Sequence, residues 1–189
     1  SPARTSYNPA AMTTHSTTVL LVRRDGHVCM ASDGQVTMNN TIVKAGASKV
    51  KRAGKGKVLV GFAGGAADGL ALFTRFEAKL EDAHGNVERA VVELAKDWRT
   101  DRAMRQLQAV MIVADREKSF LASGNGDLLQ PDEDGLLAVG SGGTFALAAA
   151  RALLRPTSLT AAEITREAMR IAAELCVFTN DRITIEELQ

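Results

Sequence analysis

The hydrophobic pattern of the chain changes period four times. Residues 17–22 (TTVLLV) and 27–31 (HVCMA) are apolar runs of strand length, and the Asp25-Gly26 pair between them predicts a hairpin. Ser32-Asp33-Gly34-Gln35 breaks the pattern. Short extended pieces follow at 36–37 and 41–43, around Asn39-Asn40, and a second hairpin is predicted from 48–52 and 57–61. From residue 66 to 80 the apolar positions Leu70, Phe73, Phe76 and Leu80 recur at helical spacing. A second helix over 87–105 carries Val91, Leu94, Ala95 and Trp98 inward. Strands return at 108–114, 119–123, 127–129 and 135–139, with turns at 124–126 and 131–134. Helices are predicted at 143–154 and 160–176, the latter opened by a Thr160-Ala-Ala-Glu163 capping box, and a last strand at 183–185.

Strands, two helices, strands and two helices again make segregated runs, which point to an α+β fold. Two antiparallel sheets stacked face to face, with a helix pair on each outer side, bury every apolar face so counted. No linker divides residues 17–189, which read as one domain. Residues 1–16 (SPARTSYNPAAMTTHS) have no acid, two prolines and no apolar signal core. They read as a leader, the end of an organelle transit peptide or an upstream extension before Met12, with little order expected.

Composition narrows the function. The 189 residues carry a formal net charge of +1, 46% hydrophobic and 24% charged residues. That balance fits a globular domain and gives no field to attract nucleic acid or an anionic membrane. Aromatic content of 4% leaves no surface for stacking bases. Neither Cys29 nor Cys176 sits in a CxxC pair, and both read as buried reduced thiols. His15, His27 and His84 are scattered, without zinc-ligand spacing. No GxSxG elbow exists, and Gly54-Lys-Gly-Lys57 is not a P-loop, so ATP chemistry needs a separate protein.

The chemistry that remains starts at Thr17. As a free N-terminus it would carry a hydroxyl and, in the same residue, an amine whose ordinary pKa is about 7.7–8.0, close to working pH. Nucleophile and general base would then be one residue. Lys49 would favour the neutral amine by like-charge repulsion, and Asp33 would hold Lys49. Gly61 could lend an amide to the oxyanion, and Ser141, in Gly140-Ser-Gly-Gly, a hydroxyl or amide near the amine. Each has a plainer reading. A Thr-Thr pair fills strands, Asp33-Gly34 is a turn, and the alternation Lys49-Val50-Lys51 puts Lys49 on a solvated side. The charge-rich segment 96–102 reads as a solvated helix end or a subunit contact.

Taken together these residues resemble a known family. TTVLLVRRDGHV, SDGQVT, VGFAGGAADGLALF, ELAKDWRTDR, SGNGDLLQP and AVGSGG are similar to segments of the HslV (ClpQ) peptidases, relatives of proteasome β subunits. The resemblance runs from Thr17 to about Leu188. It implies an N-terminal-nucleophile hydrolase fold, a four-layer αββα sandwich. It implies a threonine endopeptidase with Thr17 as nucleophile, Asp33 and Lys49 as its charged pair, Gly61 at the oxyanion and Ser141 near the amine. It implies a double hexameric ring, an HslU-type AAA+ ATPase partner and unfolded polypeptide substrates. No cofactor is implied for the chemistry, but a structural sodium ion is, held by the main-chain carbonyls of Ala173, Cys176 and Thr179. A bacterial cytoplasmic location follows from the same resemblance, with the mitochondrial matrix as the alternative. The departure is the leader: Ser16 precedes Thr17, and Met12-Thr13-Thr14 would expose a threonine at the wrong spacing. Removal at Ser16–Thr17 is therefore expected, and an uncleaved, non-catalytic scaffold subunit is the alternative.

Overall fold

The computed structural model describes residues 14–124 and 126–189. Residues 1–13 of the leader, and Asn125 of the 124–126 turn, lie outside the described residues.

The first hairpin forms where the Asp-Gly pair puts it, between β2 (Thr18–Arg24) and β3 (His27–Ser32). Asp25 and Gly26 both take positive φ, 52° and 78°, the two-residue turn whose twist matches its strands. Before it lies β1 (Thr14–Ser16), after it β4 (Val36–Met38) and β5 (Thr41–Lys44). These three make a small sheet in the order β1-β4-β5. Composition predicts little order for residues 14–16, yet they pair with β4 from Thr14 opposite Met38 to Ser16 opposite Val36.

The main body has the four layers expected. One sheet joins β2 and β3 with β11 (Leu136–Gly140) and β12 (Thr184–Leu188), in the order β11-β2-β3-β12. The other joins β6 (Val50–Ala53), β7 (Val58–Gly64), β8 (Ala109–Ala114), β9 (Ser119–Ser123) and β10 (Leu128–Leu129), in the order β10-β9-β8-β7-β6. Every pairing in both sheets is antiparallel. Val19, Leu21, Met30, Leu59 and Ile112 fill the space between the sheets. The helices α1 (Ala66–Asp82) and α2 (Val87–Thr100) cover the outer face of one sheet through Phe76, Leu94 and Trp98. The helices α3 (Gly143–Leu154) and α4 (Ala161–Leu175) cover the other through Ala146, Ile164 and Met169. The capping box at Thr160 is present in full.

Three expectations shift, each for a physical reason. Leu70 is 53% exposed, and Leu72 at 0% takes the inward place, because the buried stripe of α1 runs Gly69, Leu72, Phe73, Phe76, Leu80. The second helix stops at Thr100 instead of continuing to 105. There the Asp101 carboxylate accepts the Ala103 and Met104 amides at 2.8 and 3.2 Å, drawing the chain into a 3-10 turn at Met104–Gln106. The charged segment 96–102 is more than a solvated end. Lys79 pairs with Asp97 at 2.7 Å and Arg75 with Asp101 at 3.6 Å, tying α1 to α2. Both cysteines are buried and free, and burial pushes the Cys29 thiol up to about 11. Among the described residues no helix is long and apolar enough to cross a membrane.

Candidate active site

One end of the sandwich collects the strand termini that matter. β2 starts there at Thr18, β7 ends there at Gly64, and β11 ends there at Gly140, opposite Thr18. Thr17, 2% exposed, stands at this junction. Its φ of 104° is one that a β-branched residue adopts only under strain, at a cost on the order of 1–3 kcal/mol. The strain has visible supports. The Thr17 carbonyl accepts the Ser141 amide at 3.0 Å. Gly140, at φ 90°, passes so close that a Cβ there would lie 1.8 Å from the Thr17 oxygen, so only glycine fits.

The charged pair sits directly behind. Asp33, 0% exposed, follows β3 at the point where the chain leaves the sheet. Its Oδ1 accepts both the Thr18 amide at 2.7 Å and Lys49 Nζ at 3.2 Å. Its Oδ2 accepts the Gln35 amide at 2.9 Å and the Asn180 amide at 3.4 Å. Lys49 also donates to the Gln35 carbonyl at 2.5 Å. The solvated position that alternation gives Lys49 is wrong: it is 5% exposed, because it precedes β6 and turns under the β4 segment. Burial lowers the Lys49 pKa, and the attraction of Asp33 offsets this only in part. An ammonium held at net cost is a poor stabilising device and a good chemical one.

Gly61 does not fit the oxyanion role expected of it. It lies inside β7, paired with Val50 on one side and Ile112 on the other. Phe62 gives its amide to the Lys49 carbonyl at 3.3 Å, on the β6 side. Successive strand amides point to opposite neighbours, so the Gly61 amide is turned to β8 and serves the ladder. Its missing side chain makes room for Val19 and Met30, which would stand 2.6 and 2.8 Å from a Cβ. Gly64, two residues after Phe62, aims its amide to the β6 side again, beyond the Val50–Gly61 pair where β6 pairing has ended. The glycine-rich GFAGG run marks this strand, but Gly61 and Gly64 stand three residues apart and so face opposite neighbours.

Ser141 reaches Thr17 through its backbone amide, and its side chain is exposed. Thr18 belongs to the site as well, although the sequence singles out only its neighbour. Its hydroxyl shares a hydrogen bond with that of Thr179 at 2.7 Å and accepts the Gly142 amide at 2.8 Å. Ala173, Cys176 and Thr179 lie at the C-terminal end of α4. Cys176 gives its amide to the Ala172 carbonyl, and its own carbonyl accepts the Thr179 amide at 3.0 Å. A helix C-terminus presents neutral carbonyl oxygens, ligands that suit a hard cation. Among the described residues no group of three or more His, Cys, Asp or Glu side chains could hold a metal.

The proteasome subunit family model matches residues 13–188. The chain belongs to the proteasome subunit family, on its HslV branch. The ATP-dependent protease subunit HslV of Pseudothermotoga lettingae is 56% identical over 173 residues, 92% of this chain and 98% of that protein. The crystal structure of eukaryotic HslV from Trypanosoma brucei superposes with a TM-score of 0.87 at 43% identity, covering 91% of this chain and 99% of that one. Thiobacillus denitrificans BPH, solved also in complex with epoxomicin, reaches 0.73 and 0.72 at 23% identity, a likeness of fold. The fold is thus the N-terminal-nucleophile hydrolase sandwich of HslV. This HslV-type subunit is a threonine peptidase and the proteolytic subunit of an ATP-dependent protease.

Proposed function

We propose that Thr17 becomes the N-terminus and acts as nucleophile, with its own α-amine as general base. The Oγ proton passes to the amine as Oγ bonds to the substrate carbonyl carbon. The Gly64 amide receives the oxyanion. Collapse breaks the peptide C–N bond, and the amine returns the proton to the leaving nitrogen. Water then cleaves the ester, its proton taken by the same amine. Lys49 keeps that amine neutral, and Asp33 fixes Lys49. The observation that carries this reading is the sharing of Asp33 Oδ1 between Lys49 Nζ and the Thr18 amide, which brings the ammonium to the nucleophile's next residue.

The strain at Thr17 supports removal of the leader at Ser16–Thr17. Attack of Thr17 Oγ on the Ser16 carbonyl would form an ester, break the C–N bond and protonate the nitrogen; water would then release the Ser16 carboxylate. A second peptidase would reach the same end, and either way φ at Thr17 ceases to be constrained.

The substrates are unfolded polypeptides fed by an HslU-type AAA+ ATPase. With that ATPase and ATP, an unfolded protein should be reduced to short peptides, while omission of ATP should leave it intact. No degradation in the complete mixture would overturn the reading. The assembly is a double hexameric ring, and carbonyls of Ala173, Cys176 and Thr179 hold a sodium ion that supports the loop behind Thr18. Light scattering should give a twelve-subunit mass, and peptide hydrolysis should fall when choline replaces sodium at equal ionic strength. A smaller mass or an unchanged rate would count against the corresponding part.

A further inference from the structure

We propose that Asn180 is a positioning residue of the active site, holding the Asp33 turn at the depth where Asp33 meets Lys49 and the Thr18 amide. The proposal rests on the roles given above to Thr17, Asp33 and Lys49.

Asn180 lies between α4 and β12, next to Thr179, whose hydroxyl bonds that of Thr18. Its side chain joins three segments. Oδ1 accepts the Gly34 amide at 3.0 Å and the Arg182 amide at 3.2 Å. Nδ2 donates to the Ala45 carbonyl, past the end of β5, at 3.0 Å. Its main-chain amide faces Asp33 Oδ2 at 3.4 Å. One oxygen accepts two amides while a separate nitrogen donates to a third segment, which a single hydroxyl cannot span and an aspartate, lacking the donor, cannot supply. Gly34 follows Asp33 directly, so whatever anchors the Gly34 amide sets how Asp33 enters the site. The loop after α4 therefore grips the nucleophile strand at Thr18 and the carboxylate turn at Gly34 through adjacent residues.

Few charges surround the pair. Lys49 faces Asp33 from the start of β6; exposed Asp181 and Arg182 follow Asn180 on its loop, and exposed Lys44 ends β5. A carboxylate introduced at position 180 would thus be felt mainly by Lys49 and the Thr17 amine. It favours their protonated forms, so activity that needs the neutral amine moves to higher pH.

The test is steady-state hydrolysis of a short fluorogenic peptide by the assembled, leader-free protein. Asn180→Ala should lower kcat roughly 10- to 100-fold, the cost of a small misplacement, with KM within about twofold. Asn180→Asp, which keeps the acceptor and the shape, should shift the acid limb of the pH profile up by roughly half to one unit. The added carboxylate moves that limb by its charge alone, so the role of Asn180 is read in Asn180→Ala. A loosened Asp33 lets Lys49 shift, and the acid limb rises there too. A structural role alone would lower Tm and leave the Asn180→Ala limb in place, which would overturn the proposal. So would wild-type kcat in Asn180→Ala. If Asn180→Ala does not fold, Asn180→Ser is read in its place, with the same loss of kcat and the same limb shift expected. Thr17→Ala measured alongside separates the premises: turnover in that variant sinks the nucleophile assignment whatever the Asn180 variants do.

Discussion

Thr17→Ala should lose peptide hydrolysis by at least about 10⁴-fold while keeping fold and assembly. Attacker and proton acceptor belong to one residue, and the substitution removes the attacker, leaving the amine nothing to activate. The fold should tolerate the change. The contact that fixes Thr17 in place is its carbonyl to the Ser141 amide, and alanine retains it. The lost atoms are a methyl and a hydroxyl at a buried position, worth about 1 kcal/mol. Thr17→Ser, which restores a hydroxyl beside the amine, should recover measurable turnover. Hydrolysis by Thr17→Ala at the wild-type rate, with assembly intact, would mean that another residue attacks. The variant also reads how the leader is lost. Retention of Ser16 points to self-cleavage, whereas a Thr17→Ala chain that begins at position 17 points to a separate peptidase.

Lys49→Ala should separate activity from stability. Removing one partner of a buried ion pair usually strands the other charge. Here Asp33 keeps three backbone donors, from Thr18, Gln35 and Asn180. Lys49 is itself buried with a lowered pKa, so its removal also relieves a cost. The Gln35 carbonyl loses its donor, a penalty of about 1–2 kcal/mol. A Tm decrease of roughly 2–8 °C follows for a chain of this size. Activity should fall far more, about 10²- to 10⁴-fold, since the amine loses the cation that keeps it neutral. The pH sign is fixed by the same charge. Without Lys49 the Thr17 amine binds its proton more tightly, so the acid limb of any residual activity moves to higher pH. A large Tm loss with activity near wild type would reverse the assignment.

The layers of the fold are legible because each apolar run has a length and period that only one element satisfies. The Asp25-Gly26 turn and the Thr160 capping box place the starts of β3 and α4 to within a residue, whereas β2 runs two residues past its predicted end. Where a side chain competes for the backbone, as Asp101 does, periodicity alone overruns the helix end. The acid-base pair is legible as residue types and as a resemblance, but not as geometry. Alternation around Val50 puts Lys49 outside, since it counts strand positions and Lys49 precedes its strand. Sequence places the oxyanion donor on β7 at Gly61, out of phase with Gly64, because amide direction alternates along the strand and only the pairing register shows which neighbour each amide faces. Thr18, Gln35 and Asn180 escape a sequence reading altogether. The Thr18 hydroxyl and Asn180 act through hydrogen bonds spanning more than a hundred residues, to Thr179 and to Gly34, and Gln35 acts through its backbone, so no local side-chain pattern announces any of them.

The most direct test of the central claim is the intact mass and N-terminal sequence of the species that hydrolyses peptide. The account predicts a chain beginning at Thr17 with a free amine, all turnover residing in that species. Turnover by a chain that still carries Ser16 ahead of Thr17 would contradict it, because no amine would then adjoin the hydroxyl.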